Sequence, residues 1–391
     1  MNTTNQSRLI LGLRGFAAML FSLAATPVLN SAGISFKIIS IGFGFLYVVL
    51  ALFEIPTGIW ADVFGAKKSS IVGGLLQSFS ITLFLFAPKF PILVIVAYLI
   101  YGLGTSFISG ALSALLYSNA KTEEKDFDSN KYFSLIEKTS VASYVVASVA
   151  VGFTTKYLGI YSLLVASLVF LLSTLVFVVL IKDDKKEVHH KSFSQFRNMA
   201  LVGFQEIRSS FDLKLLIPVR LLNQIETILG ILWLPWINKL GGSELWFSVM
   251  ATGSYFARYL VNHYFSKRDR PSSYYPRILN SVLVMVAGAI ICALSKSIYP
   301  ALIGVWFMAG ARGVFLPANQ AIMHESLPEN VRSTGLSMMN FIFETIVAIG
   351  FFSSSFFVDH INASTAWWIS GTAFLFSVIL ILVFRRSSNE A

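Results

Sequence analysis

The sequence predicts an all-α membrane protein with about twelve transmembrane helices in two six-helix bundles and with its N- and C-termini cytoplasmic. Three observations predict it. Hydrophobic residues make up 55% of the 391-residue chain and charged residues 13%, against roughly 25% charge in an average soluble domain. The apolar residues fall in a series of long uninterrupted runs. The Lys and Arg between those runs crowd onto alternate loops.

A bilayer core roughly 30 Å thick takes about 20 helical residues. By that measure the first six spans lie near 8–30, 37–61, 69–88, 91–118, 132–154 and 157–181, and the second six near 213–238, 243–265, 276–296, 299–323, 333–358 and 363–384. The first run follows Arg8 and contains Arg14, and eleven more of its kind come after it, so it reads as a span and not as a cleaved leader. The runs are continuously apolar where a barrel strand would alternate, which selects helices. Arg8, Lys67, Lys68, Lys182, Arg197, Lys267, Arg277 and Arg386 share one side with many other basic residues. Lys89, Lys156, Lys239 and Lys296 are nearly all that the other side holds. An excess of more than fourfold sets the orientation by the positive-inside rule.

The longest polar stretch divides the chain into a bundle over 1–182, a cytoplasmic linker over 183–212 and a second bundle over 213–391. In the linker Phe193, Phe196, Met199, Phe204, Ile207 and Phe211 recur at nearly helical spacing, as in a helix lying on the cytoplasmic leaflet. The net charge of +10 forms no exposed stripe, so anionic headgroups are the expected partner and nucleic acid is not. Cys292 stands alone in an apolar run, and His189 and His190 lack further ligands nearby, so neither a disulfide framework nor a metal centre is expected.

Between spans two and three stands Gly58-Ile59-Trp60-Ala61-Asp62-Val63-Phe64-Gly65-Ala66-Lys67-Lys68. It resembles the signature of the major facilitator superfamily, Gly-x-Leu-Ala-Asp-Arg-x-Gly-Arg-Lys, at the loop where that family carries it, and departs from it at Val63 and Ala66. The segment Glu54-Ile55-Pro56-Thr57-Gly58 is similar to bacterial efflux-type members, and Leu327-Pro328-Glu329-Asn330-Val331-Arg332 echoes the corresponding loop of the second half. The resemblance implies the two-bundle fold of that superfamily, with Gly58, Asp62, Gly65, Lys67 and Lys68 as a conformational gating motif. Physically, Gly58 would admit a close helix backbone, Asp62 would face a helix N-terminus, and Gly65 would allow a tight reversal.

Ionisable residues inside a span are costly and mark function. At about 1.5 Å per residue, Arg14 and Glu54 lie level on consecutive helices, which suggests a pair. Arg312 and Glu344 lie near the midplane, where transporters of this plan bind substrate. Glu344 or Glu226 is the expected proton carrier, with Arg312 as its partner. Arg220 and Arg258 add positive charge that would suit an anion or else reach the headgroups. Trp233, Trp236, Trp367 and Trp368 read first as interface-belt residues.

No nucleotide-binding loop and no nucleophile–base set is present, so neither ATP-driven pumping nor an enzyme is expected. The leading expectation is a monomeric, multi-pass secondary transporter of a bacterial inner membrane. It would work by alternating access as a proton-coupled exporter of small amphipathic organic compounds, with no cofactor and the proton gradient as energy source. A second expectation is movement of an anionic metabolite or lipid, because two antiporter marks are missing. Tyr98 stands where an Arg is usual in span four, and span five lacks a Gly-Pro pair. A non-transporting receptor or scaffold is a third, and it would call for large soluble extensions.

Overall fold

In lipid an apolar stretch has no partner for its backbone groups except its own chain, and helix formation satisfies them all. The computed structural model describes residues 2–109, 111–123, 129–181, 208–266, 274–326, 332–357 and 360–389, and among these there is no strand. The chain divides into two compact units, Met1–His190 and Lys191–Ala391.

The first unit contains α1 (Thr3–Ser31), α2 (Phe36–Phe64), α3 (Ala66–Leu83), α4 (Ile92–Ile108), α5 (Ala111–Glu123), α6 (Ser129–Leu158) and α7 (Ser162–Leu180). Its ends are set by local chemistry. The Asn2 side chain accepts from the Asn5 amide at 3.0 Å, and Ser35 Oγ accepts from the Ile38 amide at 3.4 Å, so each fills an orphan donor of a first turn. A single residue, Gly65, separates α2 from α3 with φ of 98°, a conformation in which a Cβ would be strained.

The second unit contains α8 (Phe211–Leu229), α9 (Trp233–Lys239), α10 (Glu244–Ser266), α11 (Tyr275–Leu294), α12 (Ile298–Glu325), α13 (Arg332–Phe357) and α14 (Ala363–Asn389). The run expected as one helix over 213–238 is broken by a tighter turn at Gly230–Leu232. Pro235 has no N–H for the Ile231 carbonyl and its ring crowds that carbonyl, which accounts for the break.

The two units repeat one packing plan. In the first, α1 packs on α6 and α7, α2 on α4, and α3 on α4 and α7. In the second, α8 packs on α13 and α14, α10 on α12, and α11 on α12 and α14. Each plan has a close crossing at a pair of facing glycines. A Cβ on Gly73 would lie 2.5 Å from the Gly104 carbonyl oxygen, and one on Gly104 would lie 2.7 Å from that of Gly73. For Gly288 and Gly304 the corresponding distances are 2.7 and 2.8 Å. Such contacts supply the dispersion energy that holds helices together when lipid removes the hydrophobic drive.

Hydrogen bonds add to it. Ser167 Oγ donates to the Ser78 carbonyl at 2.7 Å between α7 and α3, and Thr57 Oγ1 donates to the Ser106 carbonyl at 3.0 Å between α2 and α4. In the first unit Thr3 Oγ1 donates to Glu123 Oε2 at 2.6 Å, tying the start of α1 to the end of α5. In the second, Ser326 Oγ and Tyr275 Oη donate to Asp212 at 3.3 and 2.5 Å, tying the starts of α8 and α11 to the end of α12.

Among the described residues ten segments are long and apolar enough to cross a membrane. One of them, Lys138–Leu180, covers two of the spans expected from the sequence. The helix α10 is not among the ten, since Arg258, Asn262 and His263 lower its mean hydropathy. The tryptophans divide differently from the expectation. Trp236 and Trp367 are 3% and 2% exposed, with ring centroids 4.9 Å apart, and Trp367 also stacks on Trp233 at 5.8 Å. They are core residues because α9 packs against α14, and of the four only Trp368 is well exposed. Cys292 is fully buried, its thiol directed at the Ala301 carbonyl. The surface helix expected over Phe193–Ile207, His189 and His190, and the loop Leu327–Val331 lie outside the described residues.

Candidate functional site: buried charges in each bundle

In the first unit Arg14 is 9% exposed, facing α3 and α7. Its guanidinium donates to Gln77 Oε1 and lies 5.6 Å from the Phe170 ring centroid. The Gln77 amide in turn donates to Thr105 Oγ1 at 3.0 Å, and Thr105 donates to the Tyr101 carbonyl at 2.8 Å. A polar relay thus runs from α1 through α3 to α4. The pair expected between Arg14 and Glu54 does not form. The two helices barely touch: α1 lies mainly against α6 and α7, whereas Glu54 sits half-buried on α2, which packs on α4. Replacing Gln77 with Leu would leave the Arg14 charge without its acceptor. We expect a loss of about 2 kcal/mol, in the range for a hydrogen bond to a charged group, read as a lower melting temperature of the purified protein in detergent. Gln77→Glu, which keeps an acceptor, should lose much less.

In the second unit the carboxylate of Glu226 on α8 is 2% exposed and forms an ion pair with Arg312 on α12. Of the two carboxylates expected to partner Arg312, Glu226 does so, and Glu344 lies half-buried on α13 with Oε2 shielded from solvent. Arg220 is not at a headgroup level on an open surface. Its Cζ lies 4.0 Å from the Phe343 ring centroid, and Nη1 is 3.5 Å from Met323 Sδ. Arg258 is exposed.

Two buried amides escaped the reading of charges. Asn223 and Asn319 are 6% and 1% exposed. Asn223 Nδ2 donates to the Val219 carbonyl at 2.8 Å and to Ser377 Oγ at 3.4 Å. The signal that could have found them, and Gln77 with them, is an amide in an apolar run, which bears the same desolvation cost without a formal charge.

At the α2–α3 junction a Cβ on Gly58 would meet nothing within 4 Å. Among the described residues the close backbone approach expected there is not found, and Gly58 is exposed. Lys67 and Lys68 occupy the first turn of α3, and the side chain of Asp62 lies outside the described residues.

Two cavities flank these groups. One of about 210 Å³, almost entirely apolar, lies between α8 and α13 and is lined by Ile225, Ile228, Leu229, Gly350 and Ser354. Another of about 450 Å³ lies between α1 and α6, lined by Arg8, Gly12, Phe16, Thr139 and Ser143.

The Major Facilitator Superfamily model matches residues 9–279 and 275–391. The chain belongs to the major facilitator superfamily. Its membrane-spanning helices, buried charges and membership make it a transporter of this superfamily and not an enzyme, and transporters of this kind typically need no cofactor. No curated protein matches the sequence. Among solved structures it is similar to a mutant of the nucleoside transporter NupG, at 13% identity over 98% of this chain and 99% of that one, with a TM-score of 0.80. It is similar also to a POT family transporter in complex with 5-aminolevulinic acid, at 12% identity over 97% and 95%, with a TM-score of 0.73. A POT family transporter bound to a thioalcohol-conjugated peptide gives 10%, 99%, 96% and 0.75. At these identities the likeness is one of fold.

Proposed function

We propose that this superfamily member is a proton-coupled secondary transporter that moves a small organic solute by alternating access, with Glu226 and Arg312 as the coupling pair. The observation that carries the proposal is their ion pair, in which the Glu226 side chain is 2% and the Arg312 side chain 24% exposed. A carboxylate 2% exposed in an apolar bundle is stable as an anion only beside its cation. Proton uptake cancels the attraction and frees α8 from α12, so protonation and helix position bias each other. Both termini lie in the cytoplasm of a bacterial cell whose inner membrane it spans. Lys67 and Lys68 sit in the first turn of α3, where the helix dipole opposes them, and attraction to anionic headgroups offsets that cost.

The apolar cavity beside Ile225 supports an amphipathic cargo and, with the phrase around Glu54, export. An anionic cargo is the second reading, favoured by Arg220, which makes no ion pair among the described residues. Reconstituted protein under an imposed pH gradient tests both, with a lipophilic cation and an organic anion as cargo. Accumulation of the cation against its gradient is the expected result for the first reading and accumulation of the anion for the second. If collapsing the pH gradient changes neither flux, proton coupling fails.

A further inference from the structure

Along the contact between α8 and α12, Arg220 meets Met323 at one level and Glu226 meets Arg312 at another. As α8 advances, α12 recedes. Asn223 lies midway between the two levels on α8, and Asn319 lies one turn from Met323 toward Arg312, about 6 Å along the axis. At that middle level the polar groups are left over. Asn319 has neither its Oδ1 nor its Nδ2 satisfied, Asn223 Oδ1 has no donor, and Arg220 Nε has no acceptor, though all are shielded from solvent.

Buried polar atoms are paired in nearly every native structure, and each one left unmade costs stability. Leucine has the same branched outline as asparagine, though it is larger, and carries no polar atom to satisfy. Along the α8–α12 contact the charges are also uneven. Arg312 is neutralised by Glu226, whereas Arg220 rests on a phenyl ring and a thioether sulfur, neither of which supplies a negative charge.

We propose that Arg220, Asn223 and Asn319 form a binding site for the anionic group of a small organic solute, a carboxylate or a phosphate. Its oxygens accept from Arg220 Nε and Asn319 Nδ2, and a hydroxyl or amide N–H beside the anionic group donates to the two carboxamide oxygens. Water fills the hydrogen bonds equally well but leaves the Arg220 charge uncompensated inside the bundle. An anion meets both needs, and a charge-assisted bond to the guanidinium is the stronger kind. The proposal rests on the transporter reading for its physiological sense and narrows the cargo of that reading.

The test is equilibrium binding to the full-length protein in detergent, followed by tryptophan fluorescence and by melting temperature. The probes are lactate, glycerol phosphate, uridine and tetraphenylphosphonium. Lactate or glycerol phosphate should bind and raise the melting temperature, and whichever does so tells carboxylate from phosphate recognition. Arg220→Gln should weaken that binding by about tenfold or more, the worth of one charge-assisted bond. Arg220→Lys, which keeps the charge, should retain part of the affinity and serves if the Gln variant does not fold. Asn319→Leu should weaken binding while raising the melting temperature of the unliganded protein. Absence of binding by both anions, binding by uridine or the cation alone, an unchanged Kd in Arg220→Gln, or full affinity in a more stable Asn319→Leu each overturns the proposal. Binding is read without a proton gradient, so its failure leaves the coupling reading intact, and failed coupling leaves binding readable.

Discussion

Replacing Glu226 with Gln is expected to abolish accumulation driven by a pH gradient and to lower stability by about 2–3 kcal/mol, less than the cost of breaking a fully buried ion pair because the Arg312 side chain is 24% exposed. Glu226 is 2% exposed and its carboxylate meets Arg312. The amide keeps the shape and loses the charge, so the Arg312 guanidinium keeps its desolvation cost without its counterion. Arg312→Gln strands the carboxylate and should cost a similar amount. The double variant Glu226→Gln/Arg312→Gln removes both charges together. It should recover most of the melting temperature, since a neutral pair of this volume packs as well as the ions, and it should still fail to accumulate cargo. Counterflow of labelled against unlabelled solute, which needs no coupling ion, separates the two effects: it should survive in the double variant. Gradient-driven accumulation at the wild-type rate by Glu226→Gln would remove Glu226 from the coupling step.

Gly73→Val is expected to leave no folded, monodisperse protein after detergent extraction. A Cβ at this position would lie 2.5 Å from the backbone oxygen of Gly104 and 2.6 Å from Ile108 Cγ1. A carbonyl in a helix cannot swing aside, so α3 and α4 would have to separate along their whole crossing. Lost dispersion over that length is the main attraction between helices in lipid. Gly288→Val should do the same to α11 and α12, where the facing oxygen of Gly304 is 2.7 Å away. Gly58→Ala, with nothing within 4 Å, should give the wild-type yield of folded protein. Size-exclusion chromatography of the three variants decides it, and a normal elution profile for Gly73→Val would refute the close crossing.

The fold was largely legible in the sequence because hydropathy in lipid leaves one backbone solution, and helix positions follow from run length alone. Partners were not legible. Arg14 and Glu54 stand level on consecutive spans, yet α1 and α2 barely touch, and the acceptor for Arg14 came from α3. The choice between Glu226 and Glu344 turned on which helix faces α12, a matter of rotation about an axis that hydropathy does not carry. Trp236 and Trp367 read as belt residues because their positions are terminal, and their packing on each other between α9 and α14 buries them instead. Asn223, Asn319 and Gln77 went unremarked because formal charge was the criterion, while burial makes a neutral amide nearly as informative.

The ties at the helix ends carry a consequence of their own. Thr3 with Glu123, and Asp212 with Ser326, fasten the beginning of the first rod of each half to the finish of the fourth. The acid sits on the fourth rod in one half and on the first in the other. What the architecture demands at that spot is therefore a donor and an acceptor, indifferent to which side holds which. Aligning the halves residue against residue would miss the correspondence altogether, since each position taken singly has changed its chemistry and the equivalence exists only at the level of the couple.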